Sequence, residues 1–99
     1  MKVAPHSAES QYRLGKLAMD QGQAAAALPH LRVAGQYLPS DTARDPDWRP
    51  DFFFQLGCAE SRQGSRDRAL AAFRRYLEVA PSDAPTRAEV TRQIHELTR

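Results

Sequence analysis

Residues 53–81 read FFQLGCAESRQGSRDRALAAFRRYLEVAP, and their apolar pattern decides the fold. Phe53, Leu56, Gly57 and Ala59 recur at helical spacing until Gly64 interrupts the run. Ala69, Leu70, Ala72, Phe73, Tyr76, Leu77 and Val79 form a second stripe that stops before Pro81. The stretch reads as two helices joined by a tight turn. Residues 11–39, QYRLGKLAMDQGQAAAALPHLRVAGQYLP, echo it. Leu14-Gly15 answers Leu56-Gly57, Gly22 answers Gly64, Ala27 answers Ala69, Leu31 answers Phe73 and Pro39 answers Pro81, all at one offset of 42 residues. In this earlier unit Tyr12, Leu14, Leu17, Ala18 and Met19 mark a first helix, and Ala24, Ala27, Leu28, Leu31, Ala34 and Leu38 a second. No run alternates with the period of a strand, so the predicted fold class is all-α.

The matched residue types have a packing logic. Glycine inside a helix costs about 1 kcal/mol relative to alanine, so Gly15 and Gly57 are expected where a partner helix crosses too closely for a Cβ. Leu31 and Phe73 are expected to fill the space between hairpins. Gly22 and Gly64 allow the turns, Pro39 and Pro81 stop the second helices, and Pro50 suits a helical first turn, where a missing N–H is harmless. Pro29 lies a turn and a half into its helix and predicts a slight kink or an early 3₁₀ turn.

The pattern resembles the tetratricopeptide repeat, whose period is 34 and whose signature is W-x2-L-G-x2-Y…A-x3-F…P. The second unit supplies Phe53, Leu56, Gly57, Glu60, Ala69, Phe73 and Pro81 at those positions, with Glu60 alone out of type. The first supplies Gln11, Leu14, Gly15, Ala18, Ala27, Leu31 and Pro39, a weaker match that suits a solenoid end with no neighbour on one face. The 42-residue offset leaves about eight inserted residues within Ser40–Arg49, SDTARDPDWR, which carries the only tryptophan, Trp48. A third unit on the 34-residue period would place apolar Val90 and Ile94 in its first helix, with Leu97 beyond them and Thr86-x2-Glu89 as a capping box. Arg87, Thr91, Gln93 and Arg99 are expected to face solvent there. The expected organisation is one domain over residues 1–99: repeat 1 over 8–41, an inserted loop at 40–49, repeat 2 over 50–83 and a capping helix over 85–98. Five helices would form a short α-solenoid, and the cap speaks for a complete small protein.

The resemblance also implies a protein-binding function, as adaptor or scaffold, with a peptide or protein partner in the concave groove lined by the first helix of each repeat. Carried over by position, the groove residues are Tyr12, Lys16, Met19 and Asp20, then Phe54, Cys58, Ser61 and Arg62, then Ala88, Arg92, His95 and Glu96. Helical spacing puts each quartet on one stripe. Aromatic Tyr12 and Phe54 beside cationic Lys16 and Arg92 suit a peptide with an apolar anchor and a carboxylate. The carboxylate clamp of chaperone-binding relatives is not predicted, since Tyr12, Lys16, Phe54 and Gln55 stand in its place. In the Phe52-Phe53-Phe54 run the family register makes Phe53 the packing residue. Phe52 and Phe54 then point elsewhere, one of them toward a partner or under the inserted loop. Trp48 is expected to tuck against a hairpin edge, with a loop contact to a partner as the functional alternative. A homodimer through Phe52 or Trp48 is the rival reading.

Composition sets outer bounds. The 99 residues are 41% hydrophobic and 26% charged, enough for one modest core. Net charge is +2, with six basic and five acidic side chains before residue 50 and eight and seven from there on. So even a balance points to no nucleic acid and no membrane surface. No apolar stretch approaches a membrane span, and MKVAPHSAES lacks the apolar run of a signal peptide. One cysteine, Cys58, excludes an internal disulfide and fits a cytoplasmic setting. Twelve arginines against two lysines, with abundant alanine, point to a GC-rich bacterial genome. No catalytic or phosphate-binding motif occurs, and no cofactor, metal or enzymatic activity is expected. His6, His30 and His95 are scattered, His30 reads as a partly exposed surface residue, and a Cys58–His95 nucleophile pair is not favoured.

Overall fold

A computed structural model describes residues 8–37 and 48–98. They form α1 (Ala8–Asp20), α2 (Ala24–Tyr37), α3 (Arg49–Arg62), α4 (Arg66–Val79) and α5 (Thr86–Leu97). Among the described residues all regular structure is helical, as the sequence pattern predicts. The helices pack in chain order, α1 on α2, α2 on α3, α3 on α4 and α4 on α5, with a smaller contact between α1 and α3. The particle is elongated, 50 × 29 × 21 Å. Of the inserted stretch, residues 40–47 lie outside the described residues, as do Leu38, Pro39 and Arg99.

The 42-residue echo extends from sequence to backbone. Helix ends fall at Asp20 and Arg62, and the following helices start at Ala24 and Arg66. The turns are closed alike: Gln23 N–H donates to the Ala18 carbonyl and Ser65 N–H to the Glu60 carbonyl, both at 2.9 Å. Gly22 and Gly64 supply the positive φ of those turns, 74° and 84°.

Close helix crossing explains the interior glycines. A Cβ on Gly15 would lie 2.6 Å from Cγ of Leu31, and one on Gly57 2.5 Å from the Phe73 ring. Leu31, Phe73, Ala27 and Ala69 are fully buried, so each hairpin is cemented by a small residue facing a large one. Fully burying a side chain of this size contributes about 1.5–3 kcal/mol.

The phenylalanine run is seated differently from the family register. Phe52 is the most deeply buried of the three, 1% exposed, because Gly35 on α2 leaves room for its ring, whose tip a Cβ there would meet at 3.3 Å. Phe53 is half-buried, shared between the two core clusters. Phe54 is also half-buried and leans on Tyr76 of α4, ring centroids 6.3 Å apart. Packing thus engages all three faces of the run, since α3 has neighbours on both sides.

α2 runs as continuous α-helix through Pro29, without a 3₁₀ turn at its start. The Ala25 carbonyl that Pro29 cannot serve belongs to an exposed residue, where water can take the missing place. Pro50 sits in the first turn of α3 as expected. His30 is half-buried and meets Gln11 across the first hairpin at 2.8 Å.

α5 lies against α4 with Val90 fully buried and Ile94 and Leu97 half-buried. Its start differs from the expected capping box. Pro85 is the N-cap, Thr86 is already helical, and no side chain caps the end. Glu89 instead bonds forward to Arg92 and Gln93. Arg87 is also not turned to solvent. Its Nη1 donates to the carbonyls of Leu77, at 3.0 Å, and Ala80, at 3.2 Å, so α5 satisfies groups that the end of α4 leaves open.

Candidate functional site

Successive helical residues advance by 100°, so α3 presents two distinct stripes. Phe54, Cys58, Ser61 and Arg62 lie toward α5, and Phe53, Leu56 and Glu60 lie on the opposite side.

The first stripe borders a hollow of about 200 Å³ lined by Cys58, Ser61, Arg62 and Gln93. Gln93 was expected to face solvent, but it is half-buried and donates to Glu89 at 2.8 Å. Burial pushes the Cys58 thiol up, and the Arg62 charge offsets part of that rise. The thiol therefore stays protonated at neutral pH. Arg62 is exposed and, among the described residues, has no carboxylate partner.

The other expected groove residues divide by exposure. Tyr12 and Met19 are buried, at 6% and 9% exposed, so α1 does not present an aromatic there. The Tyr12 ring stacks on Trp48, with centroids 4.8 Å apart and planes 13° from parallel, and its hydroxyl donates to Asp51 at 2.5 Å. Asp51 also lies 3.9 Å from Nζ of Lys16. Trp48 thus sits on the edge between α1 and α3, with Phe52 set edge-on to it at 6.5 Å. Burial, then the Asp51 hydrogen bond and charge, hold the Tyr12 phenol well above its ordinary range. On α5, Ala88, Arg92, His95 and Glu96 are exposed. Arg92 is held between Glu89, at 2.5 Å, and Glu96, at 2.7 Å, which neutralise it locally. Asp20 is exposed at the end of α1. Among the described residues no group of three His, Cys, Asp or Glu side chains is placed to hold a metal ion.

Glu60, the signature position out of type, is buried at 3% exposed. Arg32 of α2 reaches it with Nε to Oε2 at 3.2 Å and Nη2 to Oε1 at 3.1 Å. This two-pronged pair joins the hairpins where the signature carries an aromatic ring. The out-of-type acid was visible in the sequence; its partner, 28 residues earlier on another helix, was not.

Two echoing helical hairpins and a fifth helix, stacked in chain order, define a helical-repeat protein. Residues 50–83, which span α3 and α4, match the family model of the tetratricopeptide repeat. That segment, about a third of the chain, is thus similar to a tetratricopeptide repeat, and the likeness supports a protein–protein interaction module in general. No curated protein and no solved structure gives a significant match. No described helix is long and apolar enough to cross a membrane.

Proposed function

We propose that the chain is an adaptor that holds a peptide segment of a protein partner along the α1–α3–α5 face, with a partner carboxylate at Arg62. The supporting observation is the contrast among the cations of that face. Arg92 is neutralised by two glutamates and Lys16 lies near Asp51, whereas Arg62, beside the hollow over Cys58, has no carboxylate partner among the described residues. Lys16, Asp20, Phe54, Cys58, Arg92 and His95 border the path, and Tyr12, Met19 and Trp48 support it from beneath. In this reading α1 and α2 are a diverged first repeat, and α5 is the cap that closes the row. The single cysteine supports a cytoplasmic setting, and the arginine-rich composition a bacterial source.

The test is partner capture from native cells by tagged wild type and by Arg62→Glu, with proteins identified by mass spectrometry. A partner lost only from the variant, whose melting temperature is unchanged, supports the groove. A partner retained in full by Arg62→Glu removes it.

A homodimer has one specific observation in its favour. Leu14 and Leu17 on α1 are 45% and 55% exposed and form an apolar edge. Phe52, the residue first offered for that role, is buried and has no surface to give.

A further inference from the structure

We propose that α3 and α4 carry a second docking site, on the side opposite the Arg62 groove, for an acidic peptide segment with a bulky apolar anchor. A depression of about 280 Å³ opens there between the two helices. Its floor is apolar, made by Phe53, Leu56 and Ala72. Its rim is cationic. Arg75 lies 5.4 Å above the centre of the Phe53 ring, and Arg68 stands about two turns earlier on α4. Arg68 is exposed and has no carboxylate partner among the described residues.

One acid lines the depression, Glu60, and both of its oxygens are taken by Arg32. It therefore does not oppose an incoming anion. Arg75 also meets Glu78 at 2.6 Å, which neutralises it locally, so the charge left over at the rim is that of Arg68. The balance of rim and floor is thus one net positive charge, that of Arg68, beside apolar surface. Such a surface is covered most favourably by a side chain that buries in the floor while neighbouring carboxylates reach the arginines. The apolar floor lowers the local dielectric and strengthens those ion pairs. A wholly acidic segment would leave the floor wet, and a neutral one would leave Arg68 unpaired.

The probe is an acetylated, amidated hexapeptide, Asp-Glu-Phe-Leu-Asp-Glu, titrated into the isotopically labelled full chain and followed by NMR. Shifts are expected at Phe53, Ala72 and Arg75. Arg68→Glu should weaken binding about tenfold, and Ala71→Glu, an exposed position at the depression, should do the same. Neither replaces a buried residue, so both should melt as wild type does. Arg62→Glu should leave this binding unchanged, which separates failure here from failure of the groove. The proposal is overturned by absence of binding, or by equal binding of a control with serines in place of Phe-Leu. It is equally overturned by shifts centred on Cys58 and Gln93, by preferential binding of an oligouridylate to the same arginines, or by a dimer that buries the depression.

Discussion

Arg32 and Glu60 are joined by two hydrogen bonds, at 3.2 and 3.1 Å, across the boundary between the first and second hairpins. The carboxylate is buried and the guanidinium reaches it from an exposed position. Losing the arginine leaves a buried acid uncompensated, whereas losing both leaves a site that an apolar side chain can fill. Arg32→Ala should therefore lower the melting temperature by roughly 5 °C. The double variant Arg32→Ala/Glu60→Leu should recover most of that loss. Calorimetry of the two singles and the double checks it, and strict additivity would contradict it.

Gly57 has the tighter steric constraint. Gly57→Ala drives a Cβ into the buried Phe73 ring, and overpacking of this kind costs about 1–3 kcal/mol. Adding Phe73→Leu should relieve part of the clash, so the double variant should be more stable than the sum of singles predicts. Urea unfolding monitored by circular dichroism measures both.

Alkaline pH should reveal the Tyr12–Asp51 contact. In the unfolded chain the phenol titrates at about 10, and in the folded chain its value is raised. The folded state therefore holds this proton when the unfolded state has lost it. Its contribution is complete below pH ~10 and declines as pH rises above that value. Between pH 8 and 11 the melting temperature of wild type should fall more steeply than that of Tyr12→Phe. Every other titratable group is common to the two proteins, which keeps the comparison clean.

Leu14 and Leu56 hold the same place in the repeat but different surroundings. Leu56 packs against the first hairpin, whereas Leu14 faces outward on α1. Leu56→Ala should cost about 2 kcal/mol, and Leu14→Ala should stay within about 0.5 kcal/mol of wild type. Should sedimentation reveal a dimer, Leu14→Gln with Leu17→Gln is expected to return it to monomer. A dimer that survives both changes would exclude this edge as its interface.

The repeat was legible because its fixed positions answer to local geometry. A glycine with positive φ, a proline at a helix stop and a glycine facing a large side chain can each be read from spacing. Gly15, Gly22, Gly57 and Gly64 were all placed correctly by that means. The phenylalanine run was harder. Its register gave Phe53 the packing role, which it shares between both cores, but the room beside Gly35, on a different helix, buries Phe52 more deeply still.

The candidate site was legible to a smaller degree. Helical spacing put Cys58, Ser61 and Arg62 on one stripe. It could not see that Trp48 covers Tyr12, that Glu89 and Glu96 occupy Arg92, or that Gln93 turns inward. By itself, then, the sequence determined an all-α row of hairpins with a 42-residue echo, because periodicity, turns and close crossings depend on residues near in the chain. Only the tertiary structure decided which cations remain unpaired and which aromatic rings are covered. Those outcomes depend on what adjacent helices place opposite each side chain, and no spacing within a single helix encodes that.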